Sequence, residues 1–333
     1  MVVVDFGRRR AAVPRVFSFP SMTLLRAPVL WVTNLNLVRT LITEFRLGRR
    51  FAERFVAGDT LDAGIQASTA LNTQGIAAML DHLGENVASA AQAAEATDAY
   101  IRALKRIHEM PELDCNISVK LTQLGLEASA EACRGNMERV LQAATGGGRT
   151  ILVMIDMEAS EYAQRTIDLY LHLREGGGYP NVGICLQTYL RRTAADVHAI
   201  AGPEAIVRMV KGAYLEPPEI ALQSRREIRR TFARLSATLL AKGSTVHFAT
   251  HDRHLVEGAQ RYLRGHSVPK ARYEFQMLYG IRRDLQTRLV AAGEPVRVYV
   301  PYGTQWYPYL TRRLAERPAN IWFFASNVAR RGG

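Results

Sequence analysis

From Gly75 onward, short apolar runs rich in valine and isoleucine alternate with longer amphipathic stretches, the pattern of strand and helix units built on a parallel sheet. Eight runs read as strands: Gly75–Leu80, Asn116–Leu121, Ile151–Met157, Val182–Thr188, Ala205–Gly212, Thr245–Thr250, Tyr273–Leu278 and Val296–Pro301. The intervals leave room for one crossover helix each. Eight such repeats predict an α/β protein with a closed (β/α)8 barrel, a doubly wound open sheet being the alternative. Alternation inside the runs separates the two, because successive strand residues face opposite sides. Ser118, Lys120 and Thr122 share one face opposite Ile117, Val119 and Leu121. Arg208, Val210 and Gly212 oppose Val207, Met209 and Lys211; Cys185 and Gln187 oppose Ile184 and Leu186. Glu274, Gln276 and Leu278 oppose Phe275 and Met277, and Arg297 and Tyr299 oppose Val296, Val298 and Val300. A sheet covered by helices on both faces carries continuous apolar strands. Polar faces converging on a barrel axis, below a ligand at the C-terminal mouth, account better for this pattern.

Before Gly75 the spacing of Leu37, Val38, Leu41, Ile42 and Phe45, and of Phe51 and Phe55, is helical. This predicts a largely helical arm over residues 1–60, closing the barrel floor or covering a flank, then a barrel over 61–325 and a short tail, 326–333. The triplets Gly146–Gly148 and Gly176–Gly178 precede strands rather than helices, so they read as loops and not as phosphate cradles.

Composition narrows the class. The length of 333 residues suits one barrel with an appendage, and 48% apolar with 22% charged residues suits a soluble globular chain. Cys115, Cys133 and Cys185 match neither a zinc site nor a disulfide framework, which implies a reducing cytoplasm. The first residues carry no clean secretory signal. The apolar stretch Met22–Val38, interrupted by Arg26, Asn34 and Asn36, is too short and polar to span a bilayer, but could make peripheral contact with a membrane. A net charge of +12 raises nucleic acid as a partner. The charge is scattered, however, with short clusters only at Arg8–Arg10 and Arg225–Arg230, so we read solvated helix faces, with no nucleic acid and an attraction to anionic lipid left open.

Three groups of residues carry candidate chemistry. Past the last strand, Tyr302–Asn320 contains a helix stopped by Pro318, in which Glu316 lies four residues after Arg312 and three after Arg313. Two adjacent guanidinium groups suit a carboxylate ligand, although an ordinary solvated ion pair fits the same spacing. HFATHDRH gathers His247, His251, Asp252 and His254, types that could ligate a metal. With no second cluster to complete a coordination shell, we expect no metal and assign hydrogen bonding to a cofactor. The inward Lys120 suits a Schiff-base nucleophile or a structural ion pair with Asp156.

SVKLTQLG, IDME, LQTYL, VRMVKGAYLEP, FATHD, EFQMLYG and VRVYVPYGTQWYPYLTRRLAERPAN, in this order and each at the end of an expected strand, resemble the motif series of the proline dehydrogenase family. The resemblance covers roughly Phe55 to Asn320, leaves residues 1–35 unmatched, and is closest to the monofunctional bacterial form. It implies FAD held noncovalently in the barrel, without a GxGxxG fold, by Met157, Gln187, Lys211, Gly212, Ala213, Thr250 and His251. It implies catalytic roles for Asp156 and Arg208 at the flavin edge. Lys120, Arg312 and Arg313 would hold the carboxylate of L-proline, with Glu316 orienting the arginines. Leu278 and Tyr299 would wall the pyrrolidine ring, and Tyr214 would close the pocket. The implied reaction is oxidation of L-proline to 1-pyrroline-5-carboxylate by hydride transfer to flavin, the first step of proline catabolism, with a quinone as the electron acceptor. The rivals are a barrel Schiff-base lyase using Lys120 and a basic lipid- or nucleic-acid-binding protein.

Overall fold

The computed structural model describes residues 53–84, 87 and 89–316, with side chains through Thr311. Its strands are β1 (Ala77–His82), β2 (Cys115–Val119), β3 (Val153–Ile155), β4 (Val182–Gln187), β5 (Ile206–Val210), β6 (Thr245–Ala249), β7 (Tyr273–Leu278) and β8 (Val296–Tyr302). Each of the eight expected runs forms one of them. All neighbours pair in parallel, and β8 returns to β1 in a register running from Ala77 opposite Arg297 to His82 opposite Tyr302. That pairing closes the barrel and excludes the open sheet.

The helices are α1 (Leu61–Asn72), α2 (Ala90–His108), α3 (Ala130–Ala143), α4 (Ala163–Leu171), α5 (Thr193–Ile200), α6 (Arg225–Ala241), α7 (Arg253–Gly265), α8 (Arg283–Ala291) and α9 (Trp306–Glu316). Several begin where a side-chain oxygen meets an otherwise unpaired backbone N–H: Ser89 accepts from Gln92, Ser129 from Ala132 and Ser224 from Glu227. The outward strand residues, Ile117, Val119, Ile184, Leu186, Val207, Met209, Phe275 and Val298 among them, form one continuous core with the inner faces of the helices. The inward residues Ser118, Lys120, Arg208, His247, Gln276 and Arg297 are polar and buried. The faces read from alternation are therefore the faces of the barrel.

Helix α1 packs on β1 and β8. Gly64 permits this approach, since a Cβ there would stand 2.9 Å from the Leu80 side chain and 3.2 Å from Tyr302. With the flank between the last and first strands taken, α9 lies over the C-terminal mouth. Its Trp306, Tyr307, Tyr309 and Leu310 cluster with Phe55, Val56 and Leu83, the last of these just past β1.

The helical reading of the segment at Phe55 is corrected: residues 53–60 form turns and extended chain. There the backbone bonds to the end of β8 instead of to itself, Ala57 N donating to Pro301 O and Gly303 N to Gly58 O, both at 2.9 Å. Leu37–Phe45, Phe51, the apolar stretch Met22–Val38 and the tail 326–333 lie outside the described residues. Among the described residues no helix is long and apolar enough to cross a membrane.

Gly280 and Gly293 share a left-handed conformation, with φ of +70° and +72°, but not their surroundings. A Cβ on Gly280 would land on the backbone carbonyl of Arg54, whereas one on Gly293 meets only the end of Lys270 at 3.3 Å. Gly293→Ala should therefore lose about 1–2 kcal/mol, the left-handed strain alone. Gly280→Ala should lose clearly more, because the segment at Arg54 must also shift. Denaturant midpoints of the two variants check this, and equal losses would contradict it.

Candidate active site

A cavity of about 680 Å³ opens at the C-terminal mouth, within the size range of ligand sites. The strand ends and the loops after them deliver its walls. Lys120, Asp156, Arg208, Tyr214, Leu278 and Tyr299 line it, as do Met157, Gln187, Lys211, Gly212, Ala213, Thr250 and His251. Every residue that the family resemblance ties to the site, where its side chain is described, is thus in one place. Arg312, Arg313 and Glu316 belong to α9, whose Tyr309 lines the same cavity; their side chains lie beyond those described.

The cavity floor is an ion network. Asp156 accepts from Arg208 Nη1 at 2.5 Å and Ser118 Oγ at 2.8 Å on one oxygen, and from Tyr299 OH at 2.6 Å on the other. Lys120 Nζ stands 3.7 Å from Asp156 but 2.5 Å from Asp81. The ion pair expected between Lys120 and Asp156 is therefore shared, and its nearer partner is one that the sequence reading missed. Asp81 sits on β1 one residue past the expected strand end; extending the alternation from Met79 would have found it.

Burial alone would raise the Asp156 carboxyl, but Arg208, Lys120 and the hydrogen bonds from Tyr299 and Ser118 outweigh it and hold it below the usual carboxylate range. For Asp81 burial wins over Lys120, and its carboxyl is raised. Burial opposes the Lys120 ammonium, yet Asp81 and Asp156 overcome it and hold its pKa above that of an ordinary lysine. A lysine kept protonated is a poor amine nucleophile, so this arrangement disfavours Schiff-base chemistry.

Beneath this floor lies a second polar layer. Arg208 Nε donates to Gln276 Oε1 at 2.7 Å, and Gln276 Nε2 donates to Glu274 Oε1 at 2.7 Å and His247 Nδ1 at 2.9 Å. Glu274 in turn accepts from Arg297 Nε, at 3.0 and 2.9 Å on its two oxygens. Burial pushes His247 down to about 4. The histidines singled out together in sequence disperse: His247 serves Gln276, His251 Nε2 accepts from Leu278 N at 2.9 Å, and His254 is exposed. Among the described residues no group of three or more His, Cys, Asp or Glu side chains is placed to hold a metal.

The opposite wall has a different character. Gln187 Nε2 donates to the carbonyls of Met157 and Glu158, at 2.9 and 3.2 Å, while its Oε1 is buried without a hydrogen-bond partner. Gly212 has φ +117°, and a Cβ there would run into the Tyr189 ring. Asp252 caps α7 through His254 N at 3.2 Å and also accepts from Arg229 and Lys211 at 2.7 and 3.4 Å. Sequence reasoning passed over Arg229 because it looked like one of many solvated arginines on α6.

A closed barrel with paired charges beneath a cavity at its C-terminal mouth has the architecture of a barrel enzyme. Residues 65–326 match the family model described as Proline dehydrogenase. The chain is 37% identical over 280 residues to Proline dehydrogenase of Deinococcus radiodurans, covering 83% of this chain and 89% of that one. It is 36% identical over 272 residues to Proline dehydrogenase 2 of Bacillus subtilis, covering 82% and 88%. The chain belongs to the proline dehydrogenase family. A crystal structure of proline utilization A (PutA) from Bdellovibrio bacteriovorus, inactivated by N-propargylglycine, matches with a TM-score of 0.75 and 23% identity over 88% of this chain and 36% of that one, a likeness of fold.

His247 stays neutral down to about 4, whereas in an unfolded chain a histidine takes a proton near pH ~6.5. Between those values the unfolded state binds more protons, so stability from this residue falls as pH drops. Asp81, with its raised carboxyl, works in the opposite direction over part of that range, so the informative quantity is the difference between wild type and variant. From about pH 7 to about pH 5, His247→Gln should remove about 2 kcal/mol of acid-side destabilisation relative to wild type. Denaturant unfolding of both proteins at each pH measures it, and parallel pH dependences would refute the assignment.

Proposed function

We propose that this chain is an FAD-dependent proline dehydrogenase of the cytoplasm, oxidising L-proline to 1-pyrroline-5-carboxylate as the first step of proline catabolism and passing the electrons to a quinone-type acceptor. The observation that carries the reading is the convergence, around one cavity, of the residues that the family resemblance ties to flavin and to proline. Peripheral contact with a membrane would bring the protein to a lipid-soluble quinone.

The residues fit a flavin. The unpaired, buried Oε1 of Gln187 can accept from a ring N–H, and the missing Cβ of Gly212 lets the Tyr189 ring pack directly against the backbone of that wall. Met157, Gln187, Lys211, Gly212, Ala213, Thr250 and His251 would hold the cofactor. When bound, flavin supplies the acceptor for the hydride that leaves ring carbon five of proline. The protein's own part is orientation and charge. Arg208 keeps a positive charge at the cavity floor, where negative charge develops during reduction. Asp156 fixes Arg208, Tyr299 and Lys120 relative to one another. Lys120 offers its ammonium to the substrate carboxylate, and Arg312 and Arg313, oriented by Glu316, would grip it from α9. Leu278 and Tyr299 flank the ring, and Tyr214 closes the pocket.

The Schiff-base alternative requires a neutral lysine, and the double carboxylate environment of Lys120 works against one. The purified protein should be yellow and should be bleached by L-proline without oxygen, followed by absorbance. A flavin that stays oxidised in the presence of L-proline would end this reading.

A further inference from the structure

Among the described residues the Gln276 amide is the hydrogen-bonded link between the two polar layers of the barrel. Its orientation is determined chemically. Nε2 faces the Glu274 carboxylate at 2.7 Å, which can only accept, so Oε1 must face Arg208 Nε, 2.7 Å away. His247 Nδ1, 2.9 Å from the same Nε2, is then an acceptor as well, as a neutral imidazole allows. Glu274 is itself fixed by Arg297, which also reaches Asp114 at 2.9 Å and the carbonyl of Ala78 at 2.7 Å.

The guanidinium of Arg208 is thereby held on every side. Nε goes to Gln276, Nη1 to Asp156 and Ser118, and Nη2 lies against the Met79 sulfur. The ring of Tyr299 lies within cation–π range, 5.4 Å from guanidinium carbon to ring centroid. Of these partners only Asp156 is an anion. Glu274, two residues before Gln276 on β7, has its charge answered by Arg297 and is separated from Arg208 by the neutral amide. A carboxylate in place of that amide would keep a hydrogen-bond acceptor for Nε but would set a second anion beside Arg208 and make the cavity floor more negative.

We propose that Gln276 is a positioning residue for the proposed reaction: locked by Glu274 and His247, it orients Arg208 toward the cavity without adding a second anion to Asp156. The inference rests on the reading of the cavity as a flavin and proline site. It assigns to a side chain without charge the task of setting how strongly Arg208 favours reduction of the cofactor.

The test compares wild type with Gln276→Met and Gln276→Glu as flavin-loaded proteins, by steady-state kinetics with L-proline, spectroelectrochemical titration of the bound flavin, flavin content and melting temperature. Gln276→Met should fold and load but make flavin reduction about tenfold less favourable, about 30 mV for a two-electron couple, with kcat at least tenfold lower and KM within about threefold of wild type. Gln276→Glu should gain an ionisation absent from wild type, set by its neighbours Glu274, His247, Arg208 and Arg297. On the acid side its protonated carboxyl mimics the amide and potential and kcat approach wild type, whereas on the alkaline side both fall. A loaded Gln276→Met protein with wild-type potential and kcat would overturn the inference. Should that variant not fold, a Gln276→Glu protein whose potential follows the wild-type pH dependence would overturn it equally. A wild type that carries no flavin, or that L-proline does not bleach, would instead remove the functional reading beneath it.

Discussion

Arg208 on β5 and Asp156 at the end of β3 meet at 2.5 Å at the floor of the cavity, the first buried and the second largely so. Removing one partner of such a buried pair strands a charge and typically costs about 3–5 kcal/mol. Because Asp156 also accepts from Ser118 and Tyr299 and lies 3.7 Å from Lys120, the pair joins β2, β3, β5 and β8 at one level. The rest of the interior follows from that constraint. Each further charge along the axis must be answered, Lys120 by Asp81 and Arg297 by Glu274, and a polar residue recurs on the inner face of strand after strand.

The same constraint separates structural from chemical demands on the fold. Outward strand residues and helix faces exclude water and give the barrel its core. Inward residues give up hydrophobic stabilisation to keep charges where a ligand can meet them. The flank taken by α1 and the resulting position of α9 put an aromatic cluster over the mouth, so the paired charges lie under a partly apolar roof, where electrostatic interactions are stronger than in water.

Much of this could be read along the chain because a strand's period of two cannot be disguised: Ser118 with Lys120, Arg208 with Val210 and Arg297 with Tyr299 announce the inner face. Partners were less legible. Asp81 was hidden because the polar β1 residue follows four apolar ones, and the answering of Lys120 by Asp81 rather than mainly by Asp156 depends on the register of β1 against β2. The turn at Phe55 was misread because local helical spacing says nothing of the hydrogen bonds that Ala57 and Gly58 make with the end of β8. His247 and His251 looked like possible metal ligands because residue type shows; the Gln276 amide and the Leu278 N–H that occupy them come from another strand.

If the pairing of Arg208 with Asp156 is the unit on which the site depends, the two residues must act together. The direct measurement is a double-mutant cycle on kcat/KM for L-proline with Asp156→Asn, Arg208→Met and the double variant, all loaded with flavin to the same extent. The account predicts strong non-additivity, the double variant being no worse than the more damaged single one. Losses that multiply would mean that the two residues work independently, and would contradict it.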